Sequence, residues 1–395
     1  MVSIVCATSQ AKAEDTDSLL LQKMDSVRIS LITVDPGKEV WNLYGHTAIR
    51  FQDLSDGRDL GVNYGVFSFE DRSFIIRFVF GITDYEMGIF PMKLIVDSYR
   101  MEERGIREQV LNLTSEDKLA IYNALVTNSR PENIVYRYNY FYDNCTTRAR
   151  DILVNHLKGK LQFTDNKSVY PSFREQTHAY NEDFLWTRFG NDILLGINAD
   201  RSTTFEEQQF LPDHLRYDFD HALYNGKPLV KESRWILPQT YNENGHLSPE
   251  KNLGQVFSPT LCFLLLLVIT VLVTTIEYRK RKFYWGFDLC MMLLSGTAGI
   301  ILFLMIFSQH PTVRVNLQLL LLNPLPLFMA YPVVRRWRRQ QESHWYEGLC
   351  IILIALFFLG GIWQDYAEGL YFVALSLLVR VISRKYVLER KKVKR

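Results

Sequence analysis

Two patterns of apolar and polar positions divide the chain. In the first, short runs alternate or stay apolar for a few residues between turn-forming residues. They predict strands over Val27–Asp35, Thr47–Asp53, Leu60–Phe69 and Ile134–Tyr142, with turns at Gly37 and Asp56-Gly57. Helical spacing predicts one helix over Ser115–Asn128, capped by Thr114 or Ser115. A second runs over Thr146–Leu157, following Asn144-Cys145. Residues 160–252 are rich in Asn, Asp, Gly and aromatics without a clear period, and are expected to wrap this core or connect it to the membrane. The class predicted for this part is α+β.

The second pattern begins near Val256. Five apolar runs succeed one another: Val256–Ile276, Trp285–Phe307, Val315–Val334, Gly348–Trp363 and Tyr366–Ile382. Each approaches the roughly 17 to 25 residues that cross a bilayer, the last two at the short end. Basic blocks alternate with basic-poor loops. Arg279-Lys-Arg-Lys282 follows the first run, Arg335-Arg-Trp-Arg-Arg339 the third, and a tail containing Arg384, Lys385, Arg390, Lys391, Lys392, Lys394 and Arg395 the fifth. The loops after the second and fourth runs carry only Arg314, and Asp365 with Glu368. The positive-inside rule then puts the basic loops and the C-terminus in the cytoplasm and the N-terminal part outside, on a cytoplasmic (inner) membrane with five spans.

The third run holds Asn316, Gln318, Asn323, Pro324 and Pro326. Prolines free backbone carbonyls that lipid does not satisfy. Two readings are open: a kinked helix packed on its neighbours, or a break lining a polar cavity near the outer leaflet, with Asn323 inside and His310 at its mouth.

Composition sharpens this picture in three ways. The net charge of +2 gives no general affinity for nucleic acid. Of the five cysteines, Cys262, Cys290 and Cys350 lie in apolar runs, Cys6 is near the start, and Cys145 alone sits in the polar part, so no disulfide within that part is expected. Ala11-Lys-Ala13 fits a signal-peptide cleavage site. The expected layout is a short, truncated leader over 1–13, an extracytoplasmic domain over 14–252 and a helical membrane domain over 253–395.

Cys145 lies in Asn139-Tyr-Phe-Tyr-Asp-Asn-Cys-Thr-Thr-Arg-Ala-Arg-Asp151, where a strand hands over to a helix. A helix N-terminus favours thiolate. His46, in Leu43-Tyr-Gly-His-Thr-Ala-Ile-Arg-Phe51, is the candidate base, and Asn63, in Val62-Asn-Tyr-Gly-Val66, the candidate orienter of its imidazole. The backbone N–H of Cys145 is placed for an oxyanion. Tyr44, Tyr64 and Asn144 flank the three as candidate substrate contacts. Arg148 and Arg150 are candidates for a lipid phosphate, although two positions apart on a helix they point in different directions. Each residue also has a plain structural role open to it: Asn144 as a cap, the arginines as solvated helix charges, and His156, His178, His214, His221 and His246 as structural groups. No metal-ligand spacing, phosphate loop or dinucleotide fingerprint occurs, and no cofactor is expected.

The order His before Cys resembles the circularly permuted papain-like (NlpC-like) enzymes. More specifically, Tyr44-Gly-His-Thr-Ala-Ile-Arg-Phe51, Asn63-Tyr-Gly-Val-Phe-Ser-Phe69 and Asn144-Cys-Thr-Thr-Arg-Ala-Arg-Asp151 resemble the Lnb family of lipoprotein N-acyltransferases, as do Phe210-Leu-Pro212, His310-Pro311 and Leu322-Asn-Pro-Leu325. The resemblance implies a thiol acyltransferase in which Cys145 takes an acyl chain from a phospholipid as a thioester. The chain is then passed to the α-amine of a diacylglyceryl-cysteine lipoprotein. Two rivals use the same chain differently: a membrane-anchored cell-wall cysteine amidase or endopeptidase, and a non-enzymatic membrane scaffold.

Overall fold

The structure is a computed structural model and describes residues 18–66, 74–165, 168–238, 256–339, 341 and 343–392. The leader and its cut, the end of the third strand segment at 67–69, and His246 lie outside these residues. The chain is a mixed α+β protein whose described residues form two compact units.

The first unit is drawn from Met1–Phe74, Thr83–Tyr170 and Thr203–Leu247. Its strands are β1 (Val27–Val34), β2 (His46–Asp53), β3 (Asp59–Val66), β4 (Asp84–Pro91), β5 (Ile106–Leu111), β6 (Val135–Arg137), β7 (Leu161–Gln162), β8 (Leu223–Tyr224), β9 (Lys227–Pro228) and β10 (Val230–Leu237). Seven make one antiparallel sheet in the order β10-β5-β1-β2-β3-β4-β6, and β7-β8-β9 make a small second one. The interior strand β1 is buried on both faces except at Arg28. Val27, Ile29 and Leu31 join Ile49, Val62 and the helices Ser115–Asn128 and Cys145–Asn155, through Ile121, Leu125, Ala149 and Leu153. Ile32 and Val34 face the other way, onto Ala48, Met92, Ile95 and Ile106. The period of two thus sorts one strand into two cores.

The strands β1 to β3 and both predicted helices form where expected, with Thr114 as the cap of the first helix. The fourth predicted strand shrinks to Val135–Arg137, because Asn139 and Asp143 pair across a tight turn. Strands β4, β5 and β10 are additions. In β5 a buried Glu108 interrupts the apolar pattern. It is neutralised by Arg50 at 2.9 Å and Arg234 at 2.8 Å, so a charged residue occupies a core strand.

The second unit is drawn from Ile75–Ile82, Pro171–Ser202 and Ser248–Arg395. On sequence alone, 75–82 and 171–202 fall within the N-terminal domain. Packing assigns them here because the break in the third apolar run needs polar partners, which 171–202 supplies. Gln318 Nε2 donates to the carbonyl of Asp192 at 2.9 Å, and Asn316 Nδ2 to that of Ile193 at 2.9 Å. Asp192 in turn binds Arg174 at 2.9 Å and His178 at 2.8 Å.

Among the described residues, three helical segments are long and apolar enough to cross a membrane: Pro259–Lys280, Trp285–Met305 and Leu317–Arg338. The third is a 3-10 turn (Leu317–Leu320), a break and the helix Leu325–Arg338. His344–Gly360 is apolar but has 17 residues, and Leu370–Lys392 carries Arg380 and Arg384. These two are the segments that separate the observed three from the expected five.

Candidate active site

Cys145 opens its helix. Asn144 is the cap: its Oδ1 accepts from the N–H groups of Thr146 (2.8 Å) and Thr147 (2.9 Å), and Thr147 Oγ1 accepts from Asn144 N–H at 2.8 Å. The cap leaves the Cys145 N–H out, at the positive end of the helix. Asn144 Nδ2 donates to the carbonyls of Tyr140 and Phe210, 2.8 and 2.9 Å away. All of the buried Asn144 side chain is therefore engaged in holding the turn, which is the cap role the sequence left open to it.

His46 is the first residue of β2, paired with Val34. Gly45 before it has φ +78°, and a β-carbon there would stand 2.8 Å from the carbonyl oxygen of Val34, so the chain enters β2 through a bend that only glycine fits. Ala48 pairs with Asn63 of β3, so His46 and Asn63 lie on the same face of neighbouring strands. Asn63 Oδ1 lies 3.4 Å from His46 Nε2. With Nε2 turned to Asn63, Nδ1 is the ring nitrogen left for the sulfur.

Cys145 is coupled to His46 electrostatically, and the His46 imidazole and the Thr47 backbone N–H both favour its ionised sulfur. Thr146 Oγ1 stands 3.8 Å from the sulfur and 3.1 Å from Thr47 Oγ1. Burial pushes the thiol up, but the imidazolium of His46 and these hydrogen bonds outweigh it and bring the pKa down to about 7. Burial likewise pushes His46 down; the charge and hydrogen bond of Cys145, with Asn63, more than offset this and leave its pKa raised. The two shifts oppose each other in the sense that favours a thiolate–imidazolium pair. Such a pair attacks acyl carbonyls.

The remaining predicted residues separate. Tyr44 packs edge-on to Tyr140, 5.3 Å between ring centres. Tyr64, 1 % exposed, alternates to the core face, where its hydroxyl accepts from Asn128 Nδ2 at 3.0 Å; it is a core residue. Arg148 makes two hydrogen bonds to Asp143 (2.6 and 2.7 Å), and Arg150 binds Asp151 and the carbonyl of Glu206. Both guanidinium groups thus have protein partners, which explains their sequence position without a phosphate. His156, His214 and His221 each bond a carbonyl of their own chain segment through Nδ1.

In the second unit, Asn323 Oδ1 accepts from Leu325 N–H at 3.2 Å and restarts the helix. It also lines a cavity of about 60 Å³ with Asp288, Arg380 and Arg384. His310 is not in that lining; it faces Phe78, 6.2 Å away. His310 thus lies apart from that cavity, and Asn316, Gln318 and Gln364 pack the start of the break, with Gln364 Nε2 donating to Asn316 Oδ1 at 2.9 Å.

Sequence reasoning missed Thr47, Thr146 and Gly65. The two threonines follow His46 and Cys145 directly, so adjacency was their only signal. Gly65 has φ +89° within an irregularity of the β3–β4 pairing, which no local pattern reveals.

Comparison with known proteins matches residues 19–179 to the Lnb N-terminal periplasmic domain and residues 250–392 to the Lnb transmembrane domain. No curated protein and no solved structure matches the chain. With both domains present in order, and with the motifs around His46 and Cys145 inside the first, this membrane protein belongs to the Lnb family.

Proposed function

We propose that the protein is a phospholipid-dependent lipoprotein N-acyltransferase working through Cys145, His46 and Asn63. The observation that carries the reading is the meeting of these three side chains at a capped helix start, in a chain whose second half is an Lnb transmembrane domain. A soluble peptidase has no need of a multi-helix membrane domain; an enzyme with two lipid substrates does.

In the first half-reaction the Cys145 thiolate attacks the ester carbonyl carbon of a phospholipid, and the carbonyl π electrons move to oxygen. Collapse re-forms the carbonyl and expels the lysophospholipid alkoxide, which takes its proton from the His46 imidazolium. The product is an S-acyl cysteine. In the second, the α-amine of a diacylglyceryl-cysteine lipoprotein attacks the thioester, His46 accepts its proton, and the thiolate leaves. A thioester suits this step because it reacts with amines more readily than an oxygen ester does. Asn63 holds the imidazole in one orientation. Excluding water favours transfer over hydrolysis. The permuted papain-like arrangement and a five-span topology with basic loops inside belong to the same reading. They are supported by the His-strand, Asn-strand, Cys-helix order and by the alternating basic loops.

The test is incubation of purified protein with labelled phospholipid. Wild type is expected to form a hydroxylamine-sensitive acyl adduct that Cys145→Ala lacks. No adduct, together with cleavage of peptidoglycan fragments, replaces the reading with a cell-wall amidase.

A further inference from the structure

Tyr136 lies in β6, opposite Tyr85 of β4. Its ring is held on two sides. Tyr64 meets it edge-on at 6.2 Å, and the Arg148 guanidinium stands 3.6 Å from its centroid, itself fixed by Asp143. Its hydroxyl is in a different state. The residue is 6 % exposed, and the hydroxyl oxygen is buried with no hydrogen-bond partner among the described residues. A buried phenol without a partner is costly, and a fold keeps few of them.

The direction of that hydroxyl is given by Gly65. A β-carbon built on Gly65 would stand 3.8 Å from Cys145 Cβ and 3.9 Å from Tyr136 Oη. The nucleophile and the unpartnered hydroxyl thus flank one small space, left open because residue 65 has no side chain. Burial, and then the negative charge of Cys145, push the phenol pKa up, so the hydroxyl stays protonated and remains a donor. The stacked guanidinium draws electron density from the ring and strengthens that donor.

We propose that the Tyr136 hydroxyl is a catalytic donor to the oxyanion that forms on Cys145, acting beside the backbone N–H of Cys145. The proposal rests on the acyl-transfer reading above. When the thiolate adds to the ester carbonyl, the electron pair of the C=O bond moves to oxygen, and the Tyr136 O–H points its hydrogen bond at that charge. The O–H bond does not break. When the intermediate collapses, the pair returns and the lysophospholipid leaves with the proton from His46. The thioester step repeats the same charge on the same oxygen, so one donor serves both half-reactions. The missing partner of Tyr136 is, on this account, the transition state.

The test is Tyr136→Phe, which removes one oxygen atom and nothing else. Three quantities are read in full-length protein in detergent: the rates of adduct formation and of transfer to a lipopeptide amine, the pH profile of iodoacetamide alkylation of Cys145, and the melting temperature. The expected result is a loss of roughly 100-fold in both rates, an alkylation profile unchanged from wild type, and a melting temperature equal or higher. Wild-type transfer rates in the variant overturn the proposal. So does a lower melting temperature, which would reveal a structural hydrogen bond, or a displaced alkylation profile, which would reveal a role in holding the thiolate. A wild type that forms no adduct overturns the acyl-transfer reading and this proposal with it.

Discussion

Asn63 Oδ1 stands 3.4 Å from Nε2 of His46, on the strand next to the histidine and on the same face. The contact fixes which ring nitrogen faces Cys145. It is long for a hydrogen bond, so its net worth is near that of one neutral bond, about 1 kcal/mol. Asn63→Ala is therefore expected to slow adduct formation from labelled phospholipid about fivefold, with little change in melting temperature. Single-turnover measurement on both proteins checks this, and equal rates would remove Asn63 from the mechanism.

The pH dependence follows from the two opposed shifts. The Cys145 thiol is brought down to about 7, and the His46 imidazolium persists above its ordinary range. Above pH 7 the sulfur is increasingly thiolate; as pH falls through 7 it gains a proton and reactivity is lost. Iodoacetamide alkylation of Cys145 is expected to inflect near 7 in wild type. In His46→Ala it moves up toward the range of a free thiol, about 8.5. A profile unmoved by His46→Ala would show that the imidazole does not stabilise the thiolate.

Gly65→Ala tests the space beside the nucleophile. At φ +89° an L side chain is strained, at about 1–2 kcal/mol. The added methyl group also enters the gap between Cys145 and Tyr136 at ordinary contact distance, 3.8 and 3.9 Å. The variant is expected to melt lower and to form adduct more slowly, while Gly57→Ala, at positive φ with open space around it, lowers melting alone. Undiminished adduct formation by Gly65→Ala would show that the gap is not used.

Arg380 ties the helical unit together. It binds Glu277 at 2.6 and 3.0 Å and Asp288 at 2.6 and 3.1 Å, all three nearly inaccessible, and Arg384 continues the cluster to Asp288 and Glu347. Removing one member of such a cluster leaves charge buried without a partner and costs about 3–5 kcal/mol. Arg380→Ala is expected to lower the melting temperature in detergent strongly. Arg380→Lys is expected to recover little, because an ammonium does not bridge two carboxylates as a guanidinium does. Full recovery by lysine would reduce the cluster to a simple charge balance.

How much of the site was legible varies residue by residue. Cys145 and His46 stood out because each is the one residue of its type in a strand-to-helix or strand-entry setting. Asn63 followed from its place on the next predicted strand. Tyr64 and Asn144 were named as candidate substrate contacts beside the three, and the structure gives each a protein partner. Adjacency to a site residue says nothing of direction, and in a strand the next residue faces away, so Tyr64 enters the core. Asn144 was recognisable as a cap, and the structure shows that this role uses the whole side chain.

The amino-acid sequence alone determined the elements whose causes are local: the alternating strands β1 to β3, the Thr114-capped helix, the Cys145 helix and the apolar segments of the C-terminal part. Backbone periodicity and capping act within a few residues, so they are written in the order of the chain. The tertiary structure decided what depends on distant partners. It neutralised Glu108 to admit β5 to the core, moved 171–202 to the helical unit to satisfy the break at Asn316–Gln318, and brought the unpartnered hydroxyl of Tyr136 to the same gap as Cys145. Burial and charge compensation are properties of neighbours in space, and no local pattern carries them.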